Sequence, residues 1–332
     1  MTLRSPGFRG GSIAILALLF SVACGGAEPT EPGSGQPSNT HPATGTIAST
    51  LTLTGRPHGV AIASSGRFCV SQIDAASVTC GMLTASDVTL LGPILVDLQP
   101  AHVALSADGN QAYTANQFGR SLSIVNLGTS AVAATLQLPS EGFNVLADPG
   151  SSRVYVTTST GSLQVVDGGT RTILSQVATG PASNGLALDR AAGILYVSSI
   201  TAGTIAAVNT TTNAVVRIYT VNAKPQRIAL SSDGRKLFIA NETSGLEILD
   251  VTSGARSTVA GVDPGAVGLA LAPDGKVVYL TNPPAGKVQI VDVATLQVTT
   301  ISGLSSPRNV AFGLSGAAAV VTGEGNKVYV IR

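Results

Sequence analysis

Three features of the chain predict an all-β fold, a seven-bladed β-propeller of four-stranded antiparallel blades. The first is a period. An apolar residue opens a strand-like run at Val60, Val103, Val145, Leu186, Ile228, Leu269 and Val310, at steps of 41 to 43 residues. A unit of that length carrying four strands is the signature of a propeller blade. The second is another anchor ten residues on in six units, at Tyr113, Tyr155, Tyr196, Phe238, Tyr279 and Val320, with Cys69 nine on in the first unit, whose intervening turn is one residue shorter. The third is texture. The apolar runs are four to six residues long, rich in Val, Ile, Leu and Thr, and cut by Gly and Asp. That pattern excludes the 3.6-residue spacing of a helical solenoid of similar period.

The unit starting at Pro225 shows how one blade is read. Pro225 to Ser232 is the first strand, and Asp233-Gly234 turns the chain. Arg235 to Asn241 is the second strand, and a Ser-Gly turn leads to the third, Leu246 to Asp250. A last polar-apolar run to Asp263 returns the chain to the next unit. Asp-Gly recurs at 108–109, 233–234 and 274–275. Asp hydrogen-bonds its own turn and Gly supplies positive φ, so these carboxylates read as turn chemistry, spread around a ring, and not as an acid-base pair.

The second strands read Tyr155-Val-Thr-Thr158, Tyr113-Thr-Ala-Asn116, Phe238-Ile-Ala-Asn241 and Tyr279-Leu-Thr-Asn282, and third strands end at Asp167, Asp250 and Asp292. On these residues the chain resembles the YVTN family of β-propeller repeats over residues 46–332. It departs from that pattern in the first unit, Phe68-Cys-Val-Ser-Gln72, and in the last, where the aromatic is Val320. The chain has no Trp, so it is not of the WD type. The resemblance implies a surface or periplasmic protein and names no ligand, because fold does not carry function.

Taken from its start, the chain opens on an expected signal peptide, residues 1–23: Arg4 and Arg9, then an apolar run from Ile13 to Phe20 too short to span a bilayer comfortably. Ser21-Val-Ala-Cys24 allows two readings, a lipobox with diacylglycerol on Cys24 or a plain small-x-small cleavage site. Resemblance to bacterial lipoproteins favours the first, with acyl chains as the only membrane contact. Residues 24–45, rich in Gly, Pro, Ser and Thr, read as a flexible tether. Residues 46–55 look like a fourth strand, while the last unit stops after its third, at Val328-Tyr-Val-Ile-Arg332. The N-terminal strand is therefore expected to pair with the last blade and close the ring, removing an exposed edge.

The opening strands alternate large and small residues, as in Val60-Ala-Ile-Ala63 and Leu269-Ala-Leu-Ala272. This reads as economy of volume where seven blades meet at a narrow centre. The two remaining cysteines, Cys69 and Cys80, flank an expected loop Ile73 to Ala76. That register sets them opposite each other, within reach of a disulfide in an exported protein. Two buried thiols replacing the pair Tyr113 and Ile124 are the alternative.

Net charge is +1 and aromatics are 4% of the chain, so nothing favours nucleic acid. No Gly-x-Ser-x-Gly, P-loop, His-Glu-x-x-His or haem motif is present, and neither metal nor other cofactor is expected. In an antiparallel meander, the entries to the first strands share one face with the second-to-third-strand loops. The residues just before each first strand should form a circle there. His58, His102, Asn144, Asn184, Arg227, Arg308 and Asn309 are the candidate ligand-binding residues on it, because this face differs between blades. Solvated entry loops, variable because tolerant, are the bland alternative.

Two functions follow. One is an exported, lipid-anchored, monomeric module in the cell envelope, facing the periplasm or the exterior. It would bind a protein, glycan or small molecule at the channel mouth. The other is a lactonase-like hydrolase or lyase at the same mouth, with His58 or His102 as base and Arg227 or Arg308 holding an oxyanion. His58 and His102 imidazoles pointing into one polar, concave pocket with Arg227 within about 6 Å favour the enzyme; imidazoles splayed into solvent, or a pocket closed by packing, favour binding.

Overall fold

The computed structural model describes residues 45–332. The expected signal peptide, the tether up to residue 44 and Cys24 lie outside the described residues. Seven four-stranded antiparallel sheets are present, six of them built from consecutive strands. The blades span residues 57–95, 100–137, 142–178, 183–220, 225–258 and 268–302, and the seventh combines 307–331 with 47–52. The strands of each blade are named A to D from the axis outward.

Ring closure runs through the first strand, Ile47–Thr52, which pairs with the last, Lys327–Ile331. Thr50 stands opposite Tyr329 and Leu51 opposite Val328. Backbone hydrogen bonds between Thr46 and Arg332 extend the ladder in both directions. Leu51 and Leu53 then pack with Val328 and Val330 of the last blade and with Val60, Phe68 and Leu83 of the first. A single strand thus pairs one edge and covers one interface.

The core is distributed in the same way around the ring. Seven hydrophobic clusters occur, each shared by two adjacent blades. The aromatic second anchor sits in these interfaces: Tyr155, Phe238 and Tyr279 are almost wholly buried. Strands B and C are buried on both faces, because each blade is covered on both sides by its neighbours.

The turns follow their residue chemistry. Gly109, Gly234 and Gly275 have φ of 68°, 72° and 74°, the left-handed region the Asp-Gly turns require. Asp108 accepts from the Ser106 hydroxyl at 2.6 Å and the Asn110 N–H at 3.0 Å, and Asp233 repeats this with Ser231 and Arg235. At the C–D turns, Asp167 accepts from the N–H groups of Gly169 and Thr170, and Asp250 from those of Thr252 and Ser253. In the B–C turns, Asn241 and Asn282 are buried and accept from turn N–H groups.

In blade one, Cys69 lies opposite Cys80 and Gln72 opposite Ser77. The two cysteines are disulfide-bonded, with Cα atoms 4.0 Å apart.

A second repeating device joins the blades near the axis. The second residue after the aromatic anchor position is Thr or Ser in several blades. Its hydroxyl accepts an N–H of its own strand A and donates to a strand A carbonyl of the next blade. Ser198 accepts from Gly185 N and donates to Gln226 O, both at 2.7 Å. Thr281 does the same with Gly268 N and Arg308 O, both at 2.8 Å. Thr157 and Thr322 act likewise, Thr322 bonding the carbonyl of His58 across the closure.

Candidate functional site

Strand A starts ahead of its first apolar anchor in every blade. It begins at Pro57, Pro100, Gly142, Ser183, Pro225, Gly268 and Pro307. The circle of candidate residues therefore lies within the inner strands and not in entry loops. Their pairing is irregular at this point in most blades, with register shifts at 57/60, 100/102, 142/144, 183/186, 225/228 and 307/309. Such irregularities re-aim side chains. Most of these residues are buried: Arg227 is 8% exposed and Asn309 4%. The solvated-loop reading fails for that reason.

At the position before the first anchor, three blades carry glycine and the others His102, Asn144, Arg227 and Asn309. The glycines make room for the neighbouring blade. A Cβ on Gly59 would stand 2.6 Å from His102 Cα, and one on Gly268 would stand 2.5 Å from Arg308 O. Small residues here are what allow large polar ones to reach the axis, and the recurrence of Gly before them was a signal in the sequence that the repeat count alone does not use.

The polar residues form a network across blades. Asn144 Nδ2 donates to Asn184 O at 3.0 Å, and Asn184 Nδ2 to Gln226 Oε1 at 2.6 Å. Gln226 Nε2 in turn donates to Glu242. Arg227 Nε donates to Asn309 Oδ1 at 3.2 Å, and Asn309 Nδ2 to His58 O at 2.8 Å. His58 Nδ1 donates to Ala101 O at 2.6 Å, which leaves Nε2 to accept from Arg308 Nε at 3.1 Å. Glu324 Oε1 lies 3.7 Å from Arg308 Nε.

Both imidazoles are held neutral. His58 is pushed down to about 3, by burial first and then by the Arg308 charge, with the Ala101 carbonyl opposing. His102 is lowered well below the ordinary value by burial and then by Arg227. Arg227 is itself lowered to about 9 by burial and by Arg308, so it stays cationic near neutral pH. A His58 whose lone pair already accepts from Arg308, and whose affinity for a proton is so low, is a poor general base. Among the described residues, no group of three His, Cys, Asp or Glu stands placed to hold a metal.

The axis carries two cavities that meet at Arg227 and Asn309. A mouth basin of about 210 Å³ is lined by His58, Asn184, Gln226, Arg227, Arg308 and Asn309. A larger chamber of about 490 Å³ opens on the Asp-Gly side. His102, Asn144, Arg227 and Asn309 are its polar residues at the waist, below walls such as Val60, Val103, Val145 and Leu269. The structure thus gathers five of the seven candidates at the mouth and turns His102 and Asn144 toward the chamber. The alternating strand A residues leave an open chamber, because seven inner strands enclose a ring wider than their side chains span.

No protein-family model and no curated protein matches the chain. Among solved structures it is similar to Kuenenia stuttgartiensis hydrazine synthase, at TM-score 0.75 and 17% identity, over 85% of this chain and 97% of that one. The likeness is one of fold alone.

Proposed function

We propose that this protein is an exported, lipid-anchored propeller of the YVTN type that acts as a non-catalytic binding module through the mouth of its axial channel. The observation that carries the binding reading is the pair of arginines, one buried and one at the rim, converging on a basin whose walls are fixed by hydrogen bonds between blades. Pre-organised polar groups in a concave site are what recognition needs. The hydrolase or lyase reading loses support from the same geometry, since His58 is committed to Ala101 and Arg308.

Export, the tether and the acyl chains on Cys24 rest on the sequence of residues 1–45. They would hold the propeller, as a monomer, at a membrane facing the periplasm or the exterior. The mass of the mature protein, compared between wild type and Cys24→Ser, tests the anchor: loss of a diacylglycerol mass in the variant is expected. The full chain screened against glycans, small molecules and periplasmic extracts tests binding. Arg308→Gln should weaken any mouth ligand at least tenfold. A ligand bound equally well by that variant refutes the mouth as the site.

A further inference from the structure

The chamber on the Asp-Gly side has the form of a second, different site. Its walls are strand A residues, largely apolar: Val60, Val103, Val145, Leu186, Ile228 and Leu269. Its volume, about 490 Å³, lies in the range that holds small organic ligands. Its closed end is polar. There Arg227 Nη1 and His102 Nδ1 are both buried and have no hydrogen-bond partner among the described residues. Among those residues no carboxylate forms an ion pair with Arg227. A buried guanidinium without a counter-charge is costly, and it is relieved by an anion that supplies oxygen acceptors.

We propose that the chamber binds an aliphatic carboxylate, its carboxylate on Arg227 and its hydrocarbon chain along the apolar strand A walls. Arg227 Nη1–H donates to one carboxylate oxygen. The His102 ring stands beside it at the same polar end, its Nδ1 without a hydrogen-bond partner. Asn309 holds the guanidinium through Nε and so fixes its direction. Entry is from the Asp-Gly face, past Ser64, Ala107 and Pro149. This inference rests on the reading of the axis as a binding channel, and adds a ligand class and a second entrance.

The test uses the full chain with octanoate as probe, octan-1-ol as the uncharged control and butyrate as the short one. Isothermal titration should show one octanoate per chain, with butyrate at least tenfold weaker and octanol without measurable binding. Arg227→Gln should weaken octanoate at least thirtyfold while still melting cooperatively. Arg308→Gln, at the mouth, should change octanoate affinity less than threefold. If Arg227→Gln fails to fold, Ala107→Trp at the chamber entrance takes its place and should weaken octanoate at least tenfold. Absence of octanoate binding overturns the proposal, as does binding that survives Arg227→Gln, or binding lost in Arg308→Gln instead. Any of these leaves the mouth reading standing, because that reading is judged by its own ligand and by Arg308.

Discussion

Replacing Thr281 by Val removes one oxygen and almost no volume. Thr281 is wholly buried, its hydroxyl accepts from Gly268 N and donates to Arg308 O, and both bonds are 2.8 Å long. Valine fills the same space, so no cavity term enters. What changes is that a buried N–H in blade six and a partly buried C=O in blade seven lose this partner. Leaving one such group unpaired costs about 1–3 kcal/mol, and partial relaxation brings the pair to about 2–4 kcal/mol. In a propeller of this length that corresponds to a fall in Tm of about 3–7 °C. Thr281→Ser keeps the oxygen and loses one methyl, and should cost about 1 kcal/mol. Urea unfolding followed by circular dichroism measures both, with a lower midpoint and an unchanged slope expected for Thr281→Val. A Thr281→Val protein that melts within 1 °C of wild type, or that is more stable than Thr281→Ser, refutes the role given to the hydroxyl.

Deleting residues 46–55 removes the strand paired to Lys327–Ile331 and the packing of Leu51 and Leu53, so the truncated chain should lose cooperative melting or expose an aggregating edge; wild-type-like melting would disprove closure. Exchanging Cys69 and Cys80 together for Ala opens a loop with a sequence separation of 11, and should cost about 3 kcal/mol in denaturant unfolding under oxidising conditions. Stability should also fall in mild acid. The folded value of His58 is lowered to about 3 while an unfolded histidine titrates near 6.5, so the unfolded chain takes up the proton first. The contribution is present above pH 6.5 and is lost progressively as pH falls toward 3, reaching about 2 kcal/mol at pH 5. His58→Gln should flatten that part of the Tm–pH curve, and an unchanged slope would show that His58 is not its source.

The period, the strand order within each blade, the closing strand and the cysteine register were all legible in the chain, because each rests on short-range alternation or on repetition. Asp108 and Gly109 bond within their own turn, and a repeated 41–43-residue step leaves few other folds to consider. The identity of the candidate site residues was legible for a weaker reason: they are the positions where the repeat stops repeating.

Which of those residues meet was decided only by the closed ring. His58 and Arg308 are 250 residues apart in sequence and share a hydrogen bond only because the first and last blades are adjacent. Arg227 and Asn309, 82 residues apart in blades five and seven, meet only at the axis, and their bond divides mouth from chamber. The open chamber itself could not be read from Val60-Ala-Ile-Ala63 or its counterparts. Alternation fixes which face of a strand a side chain takes, while the width left at the axis depends on the number and tilt of strands around it, a property of the whole ring.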